Sequence, residues 1–431
     1  MSATSRFPFA RLMTASGLSN LADGVLKTAV PLVALRYTTS PALIAGLSFA
    51  MTLPWLVAAL PAGALVDRWD RRATMLVANS VRAVVLVLVV LVAGTGHGSI
   101  WLLYAGGVLV GVAEVFNDTS AQSVLPMVVG REALQKANGR LFALETTTNS
   151  FAGPPIGGVV ASAGIAVALG APAAMWVLAV LVLLTLRGTF RVGRAAERTS
   201  LRADVGEGLR FLWSRPLLRT LAIMVGAMNL ASAAWGAVFV LWAVGPTSAL
   251  HLTSAQYGVL LTTFAVGSVA GSLVADRLAA LMGRTASLVV AVAASALMPA
   301  GPLLTTNVWL LGALWVVASF MVATWNVITV SLRQRLTPDR LLGRLNSAYR
   351  LLAWGTMPLG AAIGGALGEA FGVRSVFVVG TVLALALLTL SGQLTPARLA
   401  AAEAQVIPDL APDEPTAELL ADDEPGSRPA P

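Results

Sequence analysis

The chain has 431 residues, 57% of them hydrophobic and 12% charged, with a formal net charge of +8. A soluble domain carries about 25% charged residues, so a chain this apolar points to a lipid environment. Cysteine is absent, which excludes disulfides, thiolate metal sites and cysteine nucleophiles; the basic residues fall in short segments between apolar runs, a mark of membrane topology and not of nucleic-acid binding.

Arg6 and Arg11 precede the first apolar run, near 12–36, which Asn20, Asp23 and Lys27 interrupt. No small-residue cleavage site follows a short apolar core, so this segment is expected to be a retained first helix and not a signal peptide. Asp23 lies about eleven residues in, near the bilayer midplane at about 1.5 Å per residue. Lys27 is one turn further, where the two can pair, and Asn20 shares their face. The second and third runs, 41–66 and 73–93 with Arg82 in the latter, are each long enough to span, for which about 20 apolar residues suffice. Between them lies Gly63-Ala-Leu-Val-Asp67-Arg68-Trp-Asp70-Arg71-Arg72. So short a loop makes the flanking helices adjacent and antiparallel, and its arginines mark the cytoplasmic side. Gly63 should let another helix approach the Asp67 carboxylate.

The fourth run, 99–123, carries Glu114, Asn117 and Asp118. The fifth, 138–162, carries Glu145, Asn149 and the element Gly153-Pro154-Pro155-Ile-Gly157-Gly158; the sixth covers 165–187. Proline breaks the helical ladder while glycine admits a close neighbour, so the fifth helix is expected to bend at Gly153 and Pro154. In the charged link 188–216, Leu201, Val205, Leu209 and Leu212 recur at helical spacing with arginines between them. They form an amphipathic helix that lies on the inner membrane face or, equally, a solvated linker helix. Runs near 217–246, 255–278, 285–304, 308–331, 346–370 and 373–393 follow, and the second half holds no ionisable group at depth. From Glu403 onward there are eight acidic residues and one basic, and 396–431 is expected to be a disordered cytoplasmic tail. His97 and His251 fall in the outer loops with no metal partner nearby.

The expected fold is an all-α polytopic membrane protein of twelve transmembrane helices. It divides into an N-terminal six-helix bundle (1–187), the linker (188–216), a C-terminal bundle (217–395) and the tail. Arginine and lysine crowd alternate loops, while the opposite loops hold only Arg36 and Arg374, so both termini are expected on the cytoplasmic side of a bacterial plasma membrane. The halves repeat: a shift of 208 brings Gly63 onto Gly271, Trp101 onto Trp309, Asn138 onto Asn346 and Gly157 onto Gly365. Two parallel repeats place a site between them near the midplane.

The Gly63–Arg72 stretch resembles the signature loop between helices 2 and 3 of major facilitator superfamily transporters, with Asp70 where glycine is usual. The Gly153–Gly158 element is similar to the Gly-Pro-x-x-Gly-Gly element in helix 5 of that superfamily's drug antiporters. Leu125-Pro126, Leu134, Ala137-Asn138 and Leu341-Leu342-Gly343-Arg344 narrow the resemblance to the exporter family that includes the enterobactin exporter and macrolide efflux pumps. The resemblance implies the major facilitator fold and proton-driven export. It also implies that Asp67, with Arg68, Arg71 and Arg72 beside it, meets the start of helix 11 near Asn346 and Ser347 and latches the cytoplasmic side. Helices 1, 4, 7 and 10 would line the cavity. The arginine that many drug antiporters carry in helix 4 is absent, and Glu114 and Asp118 stand there instead.

Asp23, Lys27, Arg82, Glu114, Asp118 and Glu145 all lie at bilayer depth, at a cost of roughly 2.5–3.5 kcal/mol each on insertion scales. Like charges one turn apart in low dielectric, as Glu114 and Asp118 are, allow one carboxyl to exchange a proton. These two are favoured over Asp23, whose counter-ion Lys27 sits on the same helix. The alternative is a static cluster, Asp23–Lys27 and Arg82 with Glu114 or Glu145, that only fixes packing. Asn20, Asn117, Asn149, Asn229, Trp235, Trp325 and Asn326 are candidate cavity residues. The resulting expectation is proton-coupled export of amphipathic drug-, macrolide- or siderophore-like compounds by alternating access. The partners are a small-molecule substrate and the lipid bilayer, with no nucleic acid, no metal and no cofactor besides the proton gradient, the chain acting as a monomer. A proton-coupled importer of a small nutrient and a membrane sensor without transport are the other readings. An enzyme lacks its constellation, since clustered histidines and a nucleotide-binding loop are both missing.

Overall fold

In lipid, every backbone N–H and C=O must be satisfied within its own segment, so long apolar runs become helices. The computed structural model describes residues 3–66, 68–129, 133–188, 190 and 201–404, and among them there is no strand, only an isolated bridge between Val244 and Leu252. The first half holds α1 (Ala3–Ala34), α2 (Pro41–Val66), α3 (Arg71–Val92), α4 (Ile100–Val128), α5 (Leu134–Glu145), α6 (Gly153–Ser162) and α7 (Ile165–Thr185). The second holds α8 (Leu201–Ser214), α9 (Pro216–Ala243), α10 (Ser254–Met282), α11 (Arg284–Ser295), α12 (Leu297–Leu304), α13 (Val308–Arg335), α14 (Asp339–Phe371), α15 (Val373–Ala386) and α16 (Pro396–Ala404).

Ten of the described rods are long and apolar enough to cross a membrane, with α11 and α12 counted as one. Two other rods pack within the same bundle but are more polar: α1, with Asp23 and Lys27, and the α5–α6 rod. The polar content of α1 has a structural reason, since Asp23 and Lys27 belong to the site described below.

The fifth rod bends by an unexpected device. Proline has no N–H, and its ring clashes with the carbonyl four residues back. A π-helical stretch, Thr146–Ala152, precedes Pro154 and ends with Gly153 N–H donating to Thr148 O. This wide turn takes up the misfit before the Pro154-Pro155 pair opens α6. The bend expected at Gly153 and Pro154 is therefore a widening that lies before them.

The halves meet mainly along α2–α14 and α6–α10, and glycines let the backbones approach. A Cβ at Gly157 would lie 2.6 Å from Val25 O of α1, and one at Gly158 would run into Ser254 O of α10. In the second half, Gly360 and Gly364 face Leu230 and Ala234 of α9, while Gly365 faces Ala42 and Ala45 of α2. The same arrangement occurs twice, which is the repeat seen in the sequence. Gly63 behaves otherwise: nothing lies within 4 Å of the place its Cβ would take, so the close approach expected there is not made in this conformation.

Two expectations about the polar segments change. The linker helix α8 is docked on the second half, with Gly208 against the Arg344 backbone and Leu212 fully buried beside Leu217, Leu218 and Leu332. Its partner is protein along those residues, not lipid or solvent. Residues 396–404, expected to be disordered, form α16, because Leu399 is buried in that same cluster and Glu403 pairs with Arg284 at 2.8 Å. The rest of the acidic tail, 405–431, lies outside the described residues.

Replacing Gly364 by valine is expected to force α9 and α14 apart and cost about 1–3 kcal/mol, the usual scale of overpacking. Thermal unfolding in detergent should show a lowered midpoint for Gly364→Val and none for Gly63→Ala.

Candidate functional site

A continuous polar thread runs through the first half. Arg82 on α3 is fully buried, its guanidinium 4.4 Å from the centre of the Trp176 ring. It pairs with Asp23 of α1, itself only 3% exposed, and donates to Ser19 Oγ at 3.0 Å. Ser19 donates to Asn79 Oδ1 at 3.0 Å, and Asn79 Nδ2 donates to Asn117 Oδ1 at 2.8 Å. Asn117 Nδ2 donates in turn to Asp118 Oδ1 at 3.1 Å. Six residues on three helices thus connect a buried ion pair to the carboxylate of Asp118. Beside this thread, Lys27 pairs with Glu114 at 3.1 Å.

Asp118 is where the thread reaches open space. With Thr119 and Gln122 of α4, Trp55 and Leu56 of α2, and Ser347, Arg350 and Trp354 of α14, it lines a cavity of about 260 Å³ between the halves. Trp55 and Trp354 meet edge to face across it, with ring centres 5.8 Å apart. The Arg350 guanidinium lies 4.6 Å from the centre of the Trp354 ring.

One end of the inter-half interface is shut. Glu369, near the last turn of α14, accepts a hydrogen bond from Ser40 Oγ at 2.6 Å and from Ala42 N–H at 3.2 Å. Its carboxylate therefore caps the start of α2 from the opposite half, where orphan N–H groups and the positive end of the helix dipole favour an anion. Pro41 packs on Gly368, and Gly158 on Gly258, at this same end. The counterpart helix α10 is capped by its own Thr253 and Gln256.

The pairing inferred from sequence is corrected. Asp23 does not pair with Lys27, nor Arg82 with Glu114 or Glu145; the pairs are Asp23–Arg82 and Lys27–Glu114. Residues four apart are offset by about 40° around a helix, enough for Asp23 to meet α3 while Lys27 meets α4. Glu114 therefore has a cation, and Asp118 and Glu145 are the acids of the set with no ion pair among the described residues. Asn20 bonds its own helix at Ser16 O, and the Asn149 backbone packs on Gly24. Asn117 sits inside the thread, 1% exposed, and not on the cavity wall.

Asn229, Trp235, Trp325 and Asn326 come together, but around another cavity, of about 140 Å³, within the second half. Asn229 also ties α9 to α14 through Ala353 O at 2.7 Å. Of the expected latch, Asp67 lies outside the described residues. Arg68 is exposed, Arg71 N–H bonds Phe190 O at 3.3 Å, and Arg72 bonds Leu183 O at 2.9 Å and Leu184 O at 3.0 Å. The arginines thus tie the loop to the chain at and beyond the carbonyl end of α7 in their own half, where a helix dipole favours cations. Asp70, the departure from the motif, caps α3 through Ala73 N–H at 2.9 Å and holds Phe190 N–H at 3.2 Å.

Ser19, Asn79, Trp55, Trp354 and Arg350 escaped the sequence reading. Asn79 carried a usable signal, being three residues before Arg82 in an otherwise apolar stretch. Arg350 lies about eleven residues, or 17 Å, along α14, which starts at Asp339.

A family model described as transmembrane secretion effector matches residues 3–427. The multidrug efflux pump Tap of Mycolicibacterium fortuitum is 27% identical over 88% of this chain and 93% of its own length. The enterobactin exporter EntS of Citrobacter koseri is 28% identical over 94% and 95%. Among solved structures, a bacterial homologue of the iron transporter ferroportin in an inward-facing state superposes with a TM-score of 0.73 at 14% identity, covering 90% of this chain and 98% of that one. The nucleoside transporter NupG gives 0.68 at 13%, with the same coverage.

Glu369→Gln is expected to loosen the shut end by removing the charge that caps α2. The chain has no native cysteine, so an Ala45→Cys reporter, placed at a buried position facing Gly365, reads the change directly. Its maleimide labelling should rise severalfold in Glu369→Gln; an unchanged rate would refute the closing role of Glu369.

Proposed function

The chain belongs to the transmembrane secretion effector family of the major facilitator superfamily, a family of transporters and not of enzymes, and on that premise we propose that it is a proton-coupled exporter of amphipathic organic compounds. A multi-pass bacterial membrane protein of efflux type is the frame; the coupling ion and the substrate class are our reading. The carrying observation is Asp118, a carboxylate on the inter-half cavity at the end of a hydrogen-bonded thread from the Arg82–Asp23 pair.

Twelve crossings in two six-helix bundles would rock about this cavity. In the conformation described, the Ser40–Glu369 end is shut, and the cavity lies toward the end that carries Arg68, Arg71 and Arg344. The excess of arginine at that end supports reading it as the cytoplasmic one. A cationic or amphipathic compound would enter there and meet Asp118 between Trp55 and Trp354. Asp118 holds either a proton or the positive group of the compound, and that competition is the chemical requirement of antiport. When Asp118 is neutralised, its bond from Asn117 weakens, and the thread carries the change to helices α1 and α3. The names of the relatives, a multidrug efflux pump and an enterobactin exporter, support export of organic molecules.

This reading separates the two acids by experiment. In proteoliposomes, Asp118→Asn is expected to abolish transport driven by a pH gradient while leaving the unfolding midpoint intact. Asp23→Asn should instead lower stability by about 3–5 kcal/mol, since it strands a buried guanidinium. Gradient-driven transport that survives in Asp118→Asn would rule out the coupling role.

A further inference from the structure

The proposed scheme employs only one of the two charges on the inter-half cavity. Asp118 lies about ten residues from the end of α4, and Arg350 about eleven from the start of α14, which puts both about 15–17 Å along their helices from the same end. They belong to opposite halves, and the Trp55–Trp354 pair stands between those halves in the same cavity. Neighbouring arginines are otherwise engaged: Arg344 pairs with Glu207, and Arg333 lies 4.1 Å over the Tyr349 ring. Arg350 has Trp354 beneath its face, and among the described residues no carboxylate or hydrogen-bond acceptor meets it.

That arrangement leaves a specific chemistry open. A cation–π contact occupies the face of a guanidinium, while its N–H donors project in the plane and stay available to an acceptor. Stacking also fixes that plane, so little freedom is lost when an oxyanion binds there. A monocation bound at Asp118 would neutralise the acid but leave Arg350 uncompensated and repelling it. A ligand with a basic nitrogen at one end and an acidic oxygen at the other satisfies both, and unlike charges that would repel a wrong ligand give discrimination as well as affinity.

Resting on the exporter reading for the site, we propose that Arg350 sets the substrate class, so that the cavity selects compact amphipathic zwitterions. The basic nitrogen goes to Asp118, the carboxylate or phenolate to the in-plane edge of Arg350, and the apolar body to Trp55 and Trp354. The cavity volume of about 260 Å³ is just below the roughly 300–1,000 Å³ of typical small-molecule sites, which favours a compact molecule.

The test is binding to the purified full chain, followed by tryptophan fluorescence, with two probes: norfloxacin, a zwitterion near neutral pH, and tetraphenylphosphonium, a permanent monocation. Arg350→Gln is expected to weaken norfloxacin by about tenfold or more, the scale of a lost charge-assisted hydrogen bond, and to tighten tetraphenylphosphonium. Asp118→Asn should weaken both. Arg350→Lys, which keeps the charge and loses the planar fork, should fall between wild type and Arg350→Gln for norfloxacin; it carries the test if the glutamine variant does not fold. Equal changes for the two probes, unchanged norfloxacin affinity in both Arg350 variants, or a wild type that binds neither probe would overturn the proposal. Proton-driven flux measured on the same preparations keeps the two readings apart: flux without probe discrimination sinks only the role of Arg350, and discrimination without flux sinks only the exporter.

Discussion

A fully buried guanidinium inside a helical bundle has to be matched, and the match between Arg82 and Asp23 organises the first half. The pair joins α3 to α1, Ser19 and Asn79 extend it to α4 through Asn117, and the face of Arg82 rests on Trp176 of α7. Four helices are thereby held by one network. Removing either charge leaves the other stranded, so the arrangement tolerates little local change. The second half is held differently. Trp235, Phe239, Phe264 and Trp315 form a contiguous aromatic cluster, with Phe264 and Trp315 stacked at 4.5 Å. Dispersion and quadrupole contacts of this kind carry no net charge and respond little to proton binding. The titratable chemistry is thus concentrated in the polar half, and the second half meets the cavity through α14, with Ser347, Arg350 and Trp354.

The helices themselves were legible because apolar length and loop charge report directly on lipid. Ionisable residues at depth were equally legible, since any such residue in an apolar run stands out. Their partners were not. Sequence spacing relates residues on one helix, so it offered Asp23 to Lys27, whereas the bundle brings α3 and α4 closer to each. Ser19 passed unseen because small polar side chains in apolar runs are common and carry no periodic mark, whereas Asn79 was marked only by its spacing from Arg82. Arg350 was not singled out, because it falls close to the start of the run near 346–370, beside basic residues of the preceding loop. Asn229, Trp235, Trp325 and Asn326 were grouped correctly in space but assigned to another cavity, because the facing direction of a tryptophan in an all-apolar helix is set by its neighbours. The helix over 396–404 was hidden for a related reason: one leucine and one ion pair, not a pattern, hold it down.

The two interfaces between the halves are built alike and closed unlike, and this difference bears on how the protein moves. Each lays a glycine-lined helix, α6 or α14, along the partner half, α10 or α2, so parting either one breaks close backbone contacts of the same kind. Helix α10 meets that event already capped, because Thr253 and Gln256 satisfy its first N–H groups from within. Helix α2 does not, since part of its cap is the Glu369 carboxylate of the other half. Opening at α2 therefore uncovers both an anion and a set of helix N–H groups, each of which must find water, while opening at α10 uncovers none. Because these groups are solvent-accessible, water can replace the lost bonds, and the closure is a bias and not a lock. A bias is what alternating access requires, for a ligand can shift an equilibrium only by the difference in its own affinity for the two states. A contact too strong to be outweighed by that difference would hold the protein in one conformation and abolish turnover.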